Sequence, residues 1–327
     1  MQNNNILFSN DYNKTGDDKQ QTTGKKPLIQ ARLTDKRKEV ERLTEVVSVY
    51  DKHKAMQLMD CGSYVEIDNV LKPNGELKQR IARANFCKLR ICPMCAWRRS
   101  RRIYGDVTRA TNYLRENENY RYMFLTLTLE NVGRSEISNS IDKLLSSFSK
   151  LRKRKSWKDN IQGYFRALEV TYNSKRNDYH PHIHCILVVN KSYFDSRNYI
   201  SKNEWIRLWK ECLQVDYLPS VDIQAIKEVT HSTVSEVAKY TVKPIDFFQS
   251  DINKSVEVVQ TIDQALKGVR LIQYGGVYAK AKKLLKIQSI SNMNLNDGTI
   301  EIDENDILIK TVHSWNFGTK MYELKRN

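Results

Sequence analysis

The sequence contains no run that approaches the roughly 20 consecutive apolar residues of a membrane-spanning helix. The N-terminus is polar and lacks the apolar core of a secretory signal. From these absences we expect a cytoplasmic protein rather than a spanning or secreted one. No internal repeat is visible, which excludes a repeat architecture. Residues 1–30 have hardly any apolar content, which is typical of a disordered tail.

Acidic residues are scarce relative to basic ones. The 327 residues include 38 Asp and Glu against 54 Lys and Arg, giving a net charge of +16. That excess predicts a polyanionic partner, most often nucleic acid, with binding that weakens as salt rises. An anionic membrane surface is the competing explanation, and the absence of a spanning helix and a signal favours nucleic acid. The length allows more than one domain.

The chain has only six cysteines, and four of them cluster at positions 61, 87, 92 and 95. Cytoplasmic thiols stay reduced, so a cluster there favours metal binding over disulfides. Cys92-Pro-Met-Cys95 is a C-x-x-C knuckle, and four thiolates can close a tetrahedral Zn²⁺ site. Buried thiols without a metal are the alternative, and His53 could replace Cys61 as a ligand.

Two basic runs are candidate DNA contacts, although such runs are usually solvated faces. The first, WRRSRR, follows the cysteines, and the second follows a predicted helix over residues 137–151. Together they supply the predicted phosphate-binding residues Arg98, Arg99, Arg101, Arg102, Arg152, Lys153, Arg154 and Lys155.

Histidine is also rare, with six in the chain, yet His182 and His184 stand together in HPHIHCILVV. The aliphatic run predicts a buried, central strand, and alternate side chains of a strand share a face. Their Cα atoms would lie about 6.5 Å apart, close enough for two imidazoles to hold one metal ion. A pair of core or surface histidines is the alternative.

Periodicity around this strand predicts an α+β protein. An amphipathic helix is expected over residues 36–59 and another over 99–115. Then follow a strand over 123–131, the helix over 137–151, a strand over 163–171, the histidine strand, a helix opened by a Ser201/Glu204 capping box and a strand over 220–229. That order predicts an antiparallel sheet with helices on one face, the split βαβ or ferredoxin-like plan. Beyond residue 245 we expect a helix, a break at Gly275-Gly276, a basic helix and strands over 299–310 and at the end.

A further helix opens at Thr233 and ends at Pro244. Glu236, Tyr240 and Lys243 would share its solvent face with Lys239 on the flank, and Val234 belongs to the buried face. A capping glutamate and ordinary surface lysines are the alternative.

Taken together, the strand ending in LTLTLEN, the strand carrying HPHIH and the helix carrying EVAKYTVK resemble the three motifs of rolling-circle plasmid replication initiators. These proteins are the Gram-positive, single-Tyr branch of the HUH endonuclease superfamily. The resemblance covers residues 120–290 and is weaker for the cysteines. It implies four regions: the tail at 1–30, a zinc-binding and DNA-contact region at 31–115, a ferredoxin-like HUH nuclease domain at 116–250, and a helical and β extension at 251–327.

The resemblance also implies an activity, namely sequence-specific nicking and joining of single-stranded plasmid origin DNA. Tyr240 would attack the scissile phosphate, leaving a 5′-phosphotyrosyl link and a 3′-OH for a host polymerase. His182 and His184 would hold Mn²⁺ or Mg²⁺, and Lys243 and Lys239 would neutralise charge at the phosphate or phenolate. A host helicase is the other implied partner, and the resemblance leaves a homodimer open.

Glu169 is the predicted third metal ligand, and His180 is the runner-up. If Thr171 pairs with His182 across a hairpin, Glu169 lies opposite His184 on the same face. His180 is the other candidate, and it could equally serve the turn or support the ligands. Imidazole and carboxylate ligands together suit Mn²⁺ better than Mg²⁺.

One departure from other HUH branches concerns termination. Glu236 stands where paired-Tyr enzymes have a second tyrosine, four residues before Tyr240. A carboxylate can activate water, so the second cleavage would be a hydrolysis. Two other classes stay open: a mobilisation relaxase, whose Tyr usually precedes the His motif, and a non-catalytic zinc-containing DNA-binding regulator.

Overall fold

The computed structural model describes residues 29–195, 197, 199–226, 234, 247–288, 295–296 and 302–325. The helices in this part of the chain are α1 (Ile29–Ser48), α2 (Lys52–Asp60), α3 (Pro93–Asn117), α4 (Ile137–Leu151), α5 (Lys155–Asn160), α6 (Lys202–Leu213), α7 (Ile252–Ala265) and α8 (Val277–Leu284). The strands are β1 (Tyr64–Leu71), β2 (Leu77–Ala84), β3 (Tyr120–Thr128), β4 (Ile161–Asn173), β5 (Asp178–Asn190), β6 (Val221–Ile226), β7 (Ile272–Gly276), β8 (Ile307–Asn316) and β9 (Met321–Leu324). The predicted α+β class is confirmed. Nearly all of the predicted tail lies outside the described residues.

Five strands form an antiparallel sheet in the order β6-β3-β5-β4-β7. The histidine strand, β5, is therefore the middle strand. Its apolar side chains on both faces, including Ile183, Cys185, Ile186 and Val188, have 0% exposure. A strand with both faces covered reads as a nearly continuous apolar run, which is why this prediction succeeded.

Helices cover this sheet on both faces. On one face, α4, α5 and α6 meet in an aromatic cluster, where Trp157 packs edge-on against Tyr164 of β4 and Trp205 of α6. On the other face, α3 and α8 pack together, and Tyr278 and Thr111 share a hydrogen bond of 2.6 Å. That second face also carries Phe165, whose ring lies 4.9 Å from that of Tyr274 on β7.

The helix and the basic helix expected on either side of Gly275-Gly276 are α7 and α8, and α8 begins directly after Gly276. The strand between them was not predicted: both glycines belong to β7 and pair with β4. A Cβ on Gly275 would lie 2.0 Å from the Tyr164 ring, and one on Gly276 would lie 2.1 Å from the carbonyl oxygen of Gln162. The glycines therefore also allow a close approach of two strands.

A second antiparallel sheet has the order β2-β1-β8-β9. It joins residues 64–84 to residues 307–324, so the regions predicted at 31–115 and 251–327 contribute neighbouring strands to one sheet. The β1–β2 hairpin was not predicted. Its turn contains Pro73-Asn74-Gly75, with Gly75 at φ +80°, a turn signal that was available in the sequence.

The single helix expected over residues 36–59 is two helices. The side chain of Asp51 accepts a hydrogen bond from the backbone N–H of Lys54 and caps the start of α2. An Asp in this position favours a new helix start over continuation of the first. None of the helices in the described ranges is long and apolar enough to cross a membrane.

Candidate active site

The candidate site begins with the pairing of β4 and β5. Glu169 is opposite His182, and Ala167 is opposite His184. The expected pairing of Thr171 with His182 is wrong by two residues, since Thr171 is opposite His180. A shift of two residues leaves side chains on the same face, so Glu169 still faces both histidines.

Glu169, His182 and His184 bring three ligand atoms together. Oε2 of Glu169 lies 3.3 Å from Nε2 of His182 and 3.2 Å from Nε2 of His184. Nitrogen and oxygen ligands about 2.0–2.2 Å from one ion lie roughly 3 Å from each other. The three side chains therefore have the spacing that a single divalent ion requires.

The second nitrogen of each histidine also has a partner. Nδ1 of His182 lies 3.1 Å from the carbonyl oxygen of His180 and donates to it, whereas Nδ1 of His184 lies 3.0 Å from Oγ1 of Thr126. Such partners fix the ring orientation of metal-binding histidines. Both rings consequently present Nε2 toward Glu169.

The charge of the site comes from Glu169, whose residue is 3% exposed. Burial raises the pKa of its carboxyl group, but the neighbouring His182 and His184 outweigh burial and hold the pKa well below the usual range. The group is ionised at neutral pH. One carboxylate and two imidazoles form a ligand set suited to Mn²⁺.

His180 lies outside this group of three. Its Nδ1 is 2.8 Å from Oδ1 of Asn131, and the amide of Asn131 donates to Asp178 at 2.9 Å. Its ring stacks on that of His182 with centroids 5.0 Å apart. Burial and the nearby His182 lower the pKa of His180. Of the two candidates for the third ligand, Glu169 contacts Nε2 of both His182 and His184. His180 instead stacks on the ring of His182 and contacts Asn131.

Two residues of this arrangement were missed in the sequence. Thr126 is on the polar face of β3, and Asn131 ends the LTLTLEN motif. The alternation of β3 identified the polar face, but only the pairing of Thr126 with His184 shows what that face contacts.

Tyr240, Glu236, Lys239 and Lys243 lie outside the described residues. Val234, from the same predicted helix, is described and is buried with 1% exposure. This agrees with the buried face predicted for it.

The basic residues after the cysteines divide into two groups. Arg98 and Arg99 are buried, with exposures of 3% and 7%. Arg98 donates to the carbonyl of Leu295, and Arg99 donates to the carbonyls of Lys88 and Leu89. Their predicted role on a DNA surface is corrected, because these side chains bind backbone.

The remaining basic residues are at least partly exposed. Arg101 lies over the ring of Trp97, and Nε of Arg102 is 3.7 Å from the Asp106 carboxylate. In the second run, Arg152 lies over the rings of Phe148 and Tyr164, Arg154 pairs with Glu211, and Lys153 and Lys155 are exposed.

The four clustered cysteines meet at a second position. Their Sγ atoms all lie within 4.8 Å of one another. Hydrogen bonds from Cys61, Cys87 and Cys92, together with the charge of Arg99, lower the pKa of Cys95. His53, the alternative to Cys61, is exposed and pairs with Gln57, so the cluster contains Cys61.

Fold and site together define an α+β protein whose central antiparallel sheet carries a Glu-His-His cluster with the spacing of metal ligands on the neighbouring strands β4 and β5. Comparison with known proteins identifies the family. The replication protein family model matches residues 78–323, well over half of the chain. The chain therefore belongs to the replication protein (Rep) family, and the resemblance found in the sequence is confirmed.

Individual relatives agree with this assignment. The chain is 34% identical over 324 residues to a "Protein rep" of Streptococcus pneumoniae serotype 2 (strain D39 / NCTC 7466), covering 96% of this chain and 95% of the relative. It is 41% identical over 199 residues to a "Protein rep" of Staphylococcus aureus, covering 60% and 83%. A "Protein rep" of Bacillus amyloliquefaciens is 33% identical over 300 residues, covering 83% and 85%. No solved structure matches the chain.

Proposed function

We propose that this protein initiates rolling-circle replication of a plasmid by nicking and rejoining single-stranded DNA at the origin. The observation that carries the proposal is the convergence of Glu169, His182 and His184 at single-ion spacing in a member of the Rep family. Relatives named "Protein rep" and "Replication protein" support a role in replication.

We assign the central sheet to a ferredoxin-like HUH nuclease core. The four strands β3, β4, β5 and β6 lie in the sheet in the order β6-β3-β5-β4. Numbered by their order in the chain, this is fourth, first, third and second, and every neighbouring pair is antiparallel. The helices α4 and α6, which connect these strands, pack together on one face. This arrangement supports the split βαβ plan, with β7 as an added fifth strand at the edge.

The nucleophile in this proposal is Tyr240. Its phenolate oxygen attacks the scissile phosphorus, a Tyr–phosphorus bond forms, and the bond from phosphorus to the 3′-oxygen breaks. The 3′-oxygen takes up a proton and becomes the 3′-OH that a host polymerase extends. Because a phenol has a pKa of about 10, Lys243 and Lys239 would favour the attacking phenolate.

Glu169, His182 and His184 would hold Mn²⁺ or Mg²⁺, which when bound would polarise the phosphate and stabilise developing charge. The ligand set suits that role because Glu169 contributes only one negative charge. A divalent ion held there keeps net positive charge for phosphate oxygens. The exposures of His182 and His184, each 8%, also limit access of water to the ligand atoms.

Glu236 would end the reaction. After one round of synthesis it would remove a proton from water, so that the second cleavage is a hydrolysis rather than an attack by another tyrosine. The surface for the DNA backbone would include the exposed basic residues Arg101, Arg102, Arg152, Lys153, Arg154 and Lys155. Such a protein would act in the cytoplasm, with a host helicase and DNA polymerase as partners.

The proposal is tested by incubating the purified protein with supercoiled plasmid carrying its own origin, with and without Mn²⁺. Wild type should give nicked circles and a covalent DNA–protein adduct. Tyr240→Phe should bind the origin but form no adduct. Tyr199→Phe is the matched control, since Tyr199 is 52% exposed and lies outside the site.

Two results would overturn parts of the proposal. An adduct that persists in Tyr240→Phe would move the nucleophile to another tyrosine. Nicking by a His182→Ala, His184→Ala double variant at the wild-type rate would show that a metal held by these histidines has no role in the reaction. Origin binding by both variants should remain close to wild type, because that affinity comes from basic residues elsewhere.

A further inference from the structure

The cysteine cluster has no part in the proposed nicking reaction. Its ligands come from three separate segments: Cys61 follows α2, Cys87 follows β2, and Cys92 and Cys95 lie at the start of α3. The cluster therefore joins the first hairpin of the second sheet to the long helix that packs with α8 over the central sheet.

The spacing of the sulfurs is that of a single ion. Sγ of Cys61 lies 3.5 Å from that of Cys92 and 3.6 Å from that of Cys95, and Sγ of Cys87 lies 3.7 Å from that of Cys95. Thiolates about 2.3 Å from a tetrahedral ion lie roughly 3.8 Å apart. A cluster of several iron atoms needs ligand sulfurs further apart than one ion does. All four cysteines are free thiols, so disulfides do not explain their proximity.

Backbone amides also point at the sulfurs. The N–H of Cys87 donates to Sγ of Cys61 at 3.4 Å, and the N–H of Lys88 donates to Sγ of Cys95 at 3.2 Å. Lys88 adopts a left-handed conformation, φ +62°, which is uncommon for a residue with a side chain and turns its amide into the cluster. These donors stabilise negative charge on sulfur.

Arg99 fixes the same loop from the other side. Its guanidinium donates to the carbonyls of Lys88 and Leu89, and its positive charge lies close to the thiol of Cys95. Burying the positive charge of an arginine beside four neutral thiols is unfavourable, whereas beside thiolates the same charge offsets part of their negative charge. The burial of Arg99, which the DNA-surface prediction did not explain, is accounted for in this way.

From this geometry we infer that Cys61, Cys87, Cys92 and Cys95 bind one Zn²⁺ ion that holds the start of α3 against the β1–β2 hairpin. Soft thiolates select Zn²⁺ over Mn²⁺ and Mg²⁺, whereas the Glu169 site suits the harder ions. The chain thus has two metal sites of different chemistry. The zinc site is structural, because four protein ligands leave no position for substrate.

The inference is tested by elemental analysis of full-length protein purified under reducing conditions without added metal. We expect one zinc per chain. Replacement of zinc by Co²⁺ should give the absorption spectrum of tetrahedral cobalt with four thiolate ligands. Both readouts are made without DNA, so they fail independently of the nicking proposal.

Matched variants separate the cluster from the other thiols and from the active site. Cys185→Ala and Cys212→Ala change buried cysteines outside the cluster and should retain one zinc per chain. The His182→Ala, His184→Ala variant should also retain it. A Cys92→Ser, Cys95→Ser variant should lose zinc, with faster hydrogen exchange over residues 86–99 than in wild type.

The absence of zinc from the wild-type protein would overturn the inference. Retention of zinc by the Cys92→Ser, Cys95→Ser variant would do the same. If that variant does not fold, the cobalt spectrum of the wild-type chain decides, because a spectrum without thiolate-to-cobalt bands contradicts ligation by these cysteines.

Discussion

Glu169 and His182 are direct partners across the β4–β5 ladder, with Oε2 of the glutamate 3.3 Å from Nε2 of the histidine. A cross-strand pair in a sheet covered on both faces has little freedom to move apart. The Glu-His-His cluster is therefore built on the middle strand of the central sheet and its neighbour. Rigid placement of this kind is what a metal-assisted reaction at a phosphate requires.

Glu169→Gln should separate ligand charge from ligand shape. The amide keeps the volume and one oxygen but removes the negative charge that balances a divalent ion. We expect the Mn²⁺ concentration for half-maximal nicking to rise by about tenfold or more, with partial recovery at high Mn²⁺. Glu118→Gln, an exposed control, should behave as wild type. Unchanged Mn²⁺ dependence would remove Glu169 from the ligand set.

Thr126 should act through the orientation of His184. Thr126→Val keeps the side-chain shape and removes the hydroxyl that lies 3.0 Å from Nδ1 of His184. Loss of such a partner typically weakens metal affinity or activity by about 10- to 100-fold. Thr126→Ser keeps the hydroxyl and should restore most of the activity in a Mn²⁺ titration. Equal losses in both variants would indicate packing instead.

Glu236 has two interpretations that predict opposite results. If it only completes a capping box with Thr233, Gln should replace it well, whereas Ala should cost part of the roughly 0.5–2 kcal/mol typical of caps. As a general base, it should tolerate neither change, because an amide cannot accept a proton at neutral pH. Both variants would then form the Tyr240 adduct but fail to terminate. Normal termination by Glu236→Gln would rule out the general-base role and leave Glu236 only the role of a helix cap.

Local pattern was enough to predict four of the five strands of the central sheet and the histidine pair. The apolar run that follows the histidines of β5 indicates a buried strand, and the alternation of polar and apolar residues along β3 indicates which of its side chains share a face. The register between β4 and β5 cannot be predicted from such local patterns, because it depends on which residues form the turn of the hairpin. Glu169 was chosen over His180 on a pairing that is two residues out, so its distances to the two histidines could be obtained only from the structure.

Other features depend on contacts that are distant in sequence. Arg98 and Arg99 looked like surface residues because a basic run carries no sign of the backbone carbonyls that bind them. The second sheet escaped prediction because β1 pairs with β8, more than two hundred residues away. Nothing within either strand identifies its partner.

Gly276 and Gly268 offer a matched test of how closely β7 must approach β4. Both have positive φ, +56° and +74°, so a side chain is strained at either position. A Cβ at Gly268 would meet nothing within 4 Å, and Gly268→Ala should cost only the roughly 1–2 kcal/mol of a left-handed residue. A Cβ at Gly276 would lie 2.1 Å from the carbonyl oxygen of Gln162 on the neighbouring strand. Gly276→Ala should therefore lose a further amount of about 1–3 kcal/mol from overpacking, in addition to the strain of a backbone at φ +56° and ψ −134°, seen as a lower melting temperature than that of Gly268→Ala. Equal melting temperatures for the two variants would show that β7 can move away from β4 without cost.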